Sequence, residues 1–227
     1  IMLSSFIGFL ASCGDRILLG HYVSAAHLGL YAIAGLLIAP FQSIFTIMVS
    51  SVAFPGLSEV HRTRPQDLSN VYAKFQRYSD LLAVGGAGLL AVMGPSAVRW
   101  LYKPAYHEAG AMLSILALGL AGTRFFVIEQ CYMAMGQAKL MTAANTLRLI
   151  ALLTLIPLGF HLNGLTGAVL GGALAPYASW PLAIQFRLKH KLGGLHAEAW
   201  VIPALIGGAA VGYAGSLLLA ALPSLHR

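Results

Sequence analysis

The sequence predicts an all-α polytopic membrane protein with about seven transmembrane helices. Three observations carry that prediction. Asp, Glu, Lys and Arg make up only 9% of the residues, where an average soluble domain carries about 25%. Hydrophobic residues reach 58% and mean hydropathy is +0.77, too apolar for the surface of a soluble fold of this length. The apolar residues also gather into runs that meet the span of about 20 residues a membrane helix needs.

The runs fall at about 1–21, 28–54, 80–101, 108–133, 137–159, 165–187 and 200–222. The gaps between them alternate in charge. Arg62, Arg64, Lys74 and Arg77 occupy 55–79, Lys139 the short fourth gap, and Arg187, Lys189 and Lys191 the last. The gaps at 22–27 and 160–164 hold no Lys or Arg, and only Arg99 and Lys103 mark the one near 102–107. Eight basic residues therefore lie on one side and two on the other, with Arg227 at the end. By the positive-inside bias the basic side is cytoplasmic. This distribution also accounts for the excess of 14 Lys and Arg over 7 Asp and Glu, with no basic stripe and interleaved aromatics of a nucleic-acid binder.

The long gap has a pattern of its own. Leu68, Val71, Tyr72, Phe75 and Tyr78 recur at helical spacing after Pro65, which predicts an amphipathic helix on the cytoplasmic interface over about 55–79. Pro40, Pro157, Pro176 and Pro181 interrupt apolar runs. Gly167-x-x-x-Gly171 and Gly208-x-x-x-Gly212 are small-residue patterns that let helix backbones approach. The chain opens inside an apolar run without an initiator Met, so it reads as the middle of a longer protein.

Charged side chains within a spanning helix cost about 2.5–3.5 kcal/mol at its centre and usually face a bundle interior or a wet cavity. The candidates are Asp15, Arg16, Arg124, Glu129 and Arg148. In the first run, Ser5, Gly8, Ser12 and Asp15 form one polar stripe, and in the fifth Thr142, Asn145 and Arg148 form another. Two such stripes suit a common hydrophilic space. Arg124 and Glu129 stand five residues apart, on different faces of one helix, so each suits a partner on a neighbouring helix. Structural pairing that merely holds the bundle fits them equally.

Catalytic and metal signatures do not emerge. The eight His form no His-x-x-x-His pattern, Cys13 and Cys131 lie far apart in apolar runs, and no phosphate-binding Gly-x-x-x-x-Gly-Lys-Ser/Thr loop occurs. The expectation is a protein that is not an enzyme and uses no cofactor or metal.

Several short patterns occur in order: Asp15-Arg16-x-x-Leu19-Gly20, Leu28-Gly29-Leu30-Tyr31-x-x-Ala34, Phe54-Pro55-x-Leu57-Ser58, Trp100-Leu101-Tyr102-x-x-Ala105-Tyr106-x-x-Ala109, and Ala134-Met135-Gly136-Gln137. In this order the chain resembles the C-terminal half of the polysaccharide-exporter branch of the multidrug/oligosaccharidyl-lipid/polysaccharide exporter superfamily. The resemblance covers about residues 1–190. It implies one six-helix lobe of a two-lobe flippase, with 191–227 supplying a basic cytoplasmic loop and an additional helix, and an N-terminal lobe elsewhere. It further implies alternating access for undecaprenyl-pyrophosphate-linked oligosaccharide across the bacterial inner membrane, in O-antigen lipopolysaccharide or exopolysaccharide assembly, beside a polysaccharide polymerase. Arg148, Arg124, Asn145 and Arg16 are then the expected cavity residues, and Glu129 and Asp15 the expected carriers of a coupling ion. A cation-coupled multidrug exporter, a peptidoglycan-precursor flippase and a membrane-embedded enzyme of polysaccharide assembly are the competing readings. The buried charges lean basic, which disfavours the multidrug exporter.

Overall fold

A computed structural model describes residues 2–192 and 199–221. The side chains of Ser5 and Ser12, and Arg227, lie outside what is described, so the full polar stripe of the first run and the last basic residue are not assessed. Among the described residues the chain is helical, without strands: α1 Met2–Tyr22, α2 Ala25–Met48, α3 Phe54–Thr63, α4 Leu68–Leu101, α5 Glu108–Gly122, α6 Phe126–Ala134, α7 Ala138–Leu174, α8 Trp180–His190 and α9 Val201–Ala221.

Five helical stretches are long and apolar enough to cross a membrane: Ala25–Thr63, Pro65–Leu101, Pro104–Ala134, Ala138–His190 and Val201–Ala221. The fourth has 53 residues and reverses direction at Asn163 and Gly164. Gly164 adopts φ +57°, ψ −138° there, a conformation that glycine alone enters cheaply. The two arms of α7 then lie backbone to backbone, with Gly159 against Gly167 and Leu155 against Gly171. With these two arms counted separately, and α1 added, the seven apolar runs of the sequence are all present as helical arms. The protein is an all-α, multi-pass membrane protein. Its exterior fits lipid, since Leu36, Ile47, Leu162, Leu188, Ile202, Ile206 and Leu218 are exposed.

Three of the arms are not single helices. A wide turn of five residues at Val49–Ala53 joins α2 to α3. A tight turn at Thr123–Phe125 joins α5 to α6, and another at Ala175–Ser179 joins α7 to α8. The last two breaks pack on each other. A Cβ added at Gly122 would lie 2.9 Å from Pro176, Phe125 meets the Tyr177 ring edge-on, and Tyr177 Oη donates to the Leu118 carbonyl at 2.8 Å.

The structure differs from the sequence reading over 55–79. Residues 54–63 form α3, the end of the second arm, and from Leu68 the chain runs as one helix to Leu101. The amphipathic pattern is genuine, and Leu68, Val71, Tyr72 and Phe75 of it pack on protein while Tyr78 is exposed. Leu68 and Tyr72 are buried with Leu57, Phe125, Ile128, Tyr132, Phe186 and Leu192. That cluster forms a second core at the basic end. The main core brings together Leu19, Tyr31, Ile38, Leu113, Leu120, Leu152 and Ile156 from α1, α2, α5 and α7.

The small-residue patterns also find partners. Gly208 and Gly212 of α9 face Gly85 and Leu89 of α4, and a Cβ at Gly88 would lie 2.5 Å from the Leu205 carbonyl oxygen. Gly85-Gly86-Ala87-Gly88 is therefore a packing groove for α9 on one side, while Gly86 accommodates Phe41 on the other.

Candidate functional site

α1 packs along the first arm of α7, and α5 packs against α2 and α7. Between these helices lies a cavity of about 410 Å³. Asp15 and Arg16 reach it from α1, Tyr31, Gln42 and Thr46 from α2, and Asn145 and Arg148 from α7. Thr123 and Phe126 at one helix break and Pro176 at the other complete the wall. The two polar stripes of the sequence thus meet one space. Glycines clear its walls: a Cβ at Gly8 would lie 3.2 Å from Asn145 Nδ2, and one at Gly35 would lie 3.8 Å from Arg16 Nη2.

At one end Tyr31 Oη donates to Asp15 Oδ2 at 2.5 Å. The other carboxylate oxygen, Oδ1, is buried without a hydrogen-bond partner among the described residues. Arg16, next to Asp15 in sequence, is exposed and does not pair with it; the two side chains leave a helix about 100° apart. Among the described residues Arg16 has no carboxylate partner.

Arg148 is differently placed. Its Nη1 donates to Glu129 Oε2 at 3.2 Å, and its Nη2 donates to Glu129 Oε1 and, at 3.1 Å, to Ser179 Oγ. The guanidinium also lies over the Phe126 ring, 4.5 Å from its centroid. Glu129 is only 3% exposed and stands behind Arg148 rather than in the cavity wall. One ion pair therefore joins α6, the first arm of α7 and the turn before α8, and leaves Arg148 Nε buried with no partner among the described residues.

Arg124 lies outside the cavity wall. Its Nε donates to Asp80 Oδ1 at 2.7 Å and its Nη2 to Oδ2 at 3.1 Å. Gln76 Nε2 donates to the same carboxylate at 2.9 Å, and Tyr72 Oη donates to Gln76 Oε1 at 3.0 Å. Asp80 has no exposed surface at all. It is the first residue of the apolar run 80–101, and the charged candidates read from the sequence did not include it. Tyr72, Gln76 and Asp80 recur every four residues on α4, a polar stripe of the same kind as those on α1 and α7. With Asp80 included, the three arginines Arg16, Arg124 and Arg148 face three carboxylates, Asp15, Asp80 and Glu129. The basic lean of the buried charges disappears, and with it the reason it gave against a multidrug exporter.

Residues 1–111 match the family model described as "Polysaccharide biosynthesis protein". The fold of the chain is similar to that of a solved structure titled "Lipid II flippase MurJ, inward closed conformation", with a TM-score of 0.74 at 12% identity over 96% of this chain and 51% of the other. Over residues 1–111, just under half of the chain, the family match agrees with the expected resemblance to a polysaccharide-exporter family. At 12% identity the structural likeness shows the fold alone. The chain spans about half the length of the solved flippase. No curated protein matches the chain. Within this fold the described cavity lies among α1, α2, α5 and α7, and the two polar stripes of the sequence lie on α1 and α7.

Proposed function

We propose that the chain is one lobe, the C-terminal one, of a bacterial inner-membrane flippase that carries undecaprenyl-pyrophosphate-linked oligosaccharide across the bilayer for polysaccharide export. Its role is transport rather than catalysis, and the residues 191–227 add a cytoplasmic loop and a further helix to that lobe. One observation carries the reading: a polar cavity of about 410 Å³ inside an apolar bundle, in a chain with this family pattern and fold. A charged headgroup needs such a path, since an unshielded charge in the bilayer costs several kcal/mol.

Within the cavity, Arg16 and Asn145 contact the substrate first. Arg16 has no carboxylate to satisfy it, whereas Arg148 reaches the cavity already neutralised by Glu129. Arg124, paired with Asp80, holds the wall from behind. Asp15 is the better carrier of a coupling proton or Na⁺, because one of its oxygens is unpartnered while Glu129 is committed to Arg148. A second lobe, membrane lipids and a polysaccharide polymerase are the partners this role requires.

A second reading is favoured by the fold match to a lipid II flippase: the substrate is a lipid-linked peptidoglycan precursor. Complementation decides. In strains lacking either flippase, the two-lobe protein that contains this chain is expected to restore surface polysaccharide, and its Arg16→Ala variant to lose that restoration at equal protein level. Restoration of growth in the strain lacking the peptidoglycan-precursor flippase alone would support the second reading instead.

A further inference from the structure

The cavity changes character along its length. Asp15, Arg16 and Tyr31 give one end its charge, opposite Gly35 of α2. Farther along the same helix Gln42 and Thr46 face the space, at about 10 Å and about 16 Å from Gly35 by the helical rise. Asn145 lines the cavity from α7, one turn from Arg148, whose charge is already paired with Glu129.

These three side chains share a second property. Asn145 is only 8% exposed, yet its carboxamide makes no hydrogen bond to any described residue. The Gln42 carboxamide and the Thr46 hydroxyl, on exposed residues that line the cavity, also have no partner among the described residues. Thr123, nearby, is already committed, since its hydroxyl donates to the Leu120 carbonyl at 2.7 Å. The Asn145 carboxamide opens to the cavity with no partner among the described residues, so a ligand there can supply its hydrogen bonds.

The chemistry of the unpartnered groups narrows that ligand. A pyrophosphate only accepts hydrogen bonds and is best matched by a cation such as Arg. Carboxamides and hydroxyls both donate and accept, as do sugar hydroxyls and N-acetyl groups. We propose that Asn145, Gln42 and Thr46 form a sugar-reading subsite, and that Arg16 takes the pyrophosphate at the other end. This rests on the flippase reading above. It implies that discrimination between glycans resides in neutral side chains, and that Arg16 sets affinity for all of them alike.

The test is direct binding to the two-lobe protein that contains this chain, in nanodiscs, with two probes: undecaprenyl pyrophosphate alone, and the same lipid bearing an N-acetylhexosamine-containing oligosaccharide. Asn145→Ala and Gln42→Ala are each expected to weaken the glycosylated lipid about tenfold, the size of one lost hydrogen bond to a site built for it, and to leave the bare lipid unchanged. The unchanged binding of the bare lipid shows that each variant is folded. Arg16→Gln is expected to weaken both probes by the same factor. Equal losses on both probes for the Asn145 and Gln42 variants, or no loss on either, overturn the subsite. Failure of the unsubstituted protein to bind either lipid overturns the flippase reading itself, and the subsite with it.

Discussion

Two buried ion pairs divide the work that the sequence assigned to cavity arginines. Arg148–Glu129 and Arg124–Asp80 each lie out of water, where removing one partner leaves an uncompensated charge and costs about 3–5 kcal/mol. Glu129→Ala and Asp80→Ala are therefore expected to lower the thermal unfolding midpoint sharply in detergent. The paired replacement Arg124→Met with Asp80→Leu should recover most of the loss, because it removes both charges together. Arg16→Ala should leave the midpoint nearly unchanged, since its guanidinium is exposed and unpaired among the described residues. A midpoint that falls as far for Arg16→Ala as for Asp80→Ala would contradict this division. Arg148, Asn145, Asp15 and Arg16 were all legible as polar positions on apolar helices. The partner of Arg124 was not, because Asp80 sits at the start of an apolar run, where hydropathy alone does not separate a buried residue from a loop residue. The four-residue repeat Tyr72, Gln76, Asp80 was the signal that marks it as buried.

At the scale of the element, glycines decide where helices turn and how closely they meet. Gly164 holds a positive φ at the reversal of α7, and a side chain there is strained by about 1–3 kcal/mol. Gly164→Ala is expected to lower the unfolding midpoint, while Gly29→Ala, where a Cβ meets nothing within 4 Å, should not. The crossing of α4 and α9 depends on Gly85, Gly88, Gly208 and Gly212. Gly208→Leu is expected to push α9 off α4 and to expose the α4 groove. Cross-linking of a cysteine pair at positions 93 and 215, which face each other across the same crossing, in a background lacking Cys13 and Cys131, would then fall. Persistence of the cross-link at its original yield would show that the crossing does not depend on these glycines. The sequence announced both patterns but not their partners, since spacing identifies a small-residue face and says nothing about which helix covers it. The same limit explains 55–79: helical periodicity revealed an apolar stripe but not whether lipid or protein lies against it.

At the scale of the whole molecule, hydropathy and charge alternation were enough to give seven arms and their order. Pro176 marked the break at Ala175–Ser179. The breaks at Val49–Ala53 and Thr123–Phe125 carry no composition that separates them from the helices on either side. The Thr123 and Ala175 breaks are the two at the cavity. Those breaks matter to function because both contribute to the cavity wall. The alternation of loop charge also predicts an orientation. Cysteines placed at Arg62 and Lys189 should be labelled by an impermeant thiol reagent only from the cytoplasmic side, and one at Lys103 only from the other. Labelling of all three from one side would contradict the topology.

The most direct test of the central claim, that the bundle interior holds the lipid-linked substrate, is photocross-linking in living cells. A photoreactive residue in place of Leu116, which lines the cavity, is expected to capture a species with the mass of an undecaprenyl-pyrophosphate-linked oligosaccharide. The same residue in place of Leu36, which is 67% exposed on the outer face of α2, should capture phospholipid. Capture of phospholipid alone at both positions would contradict the account.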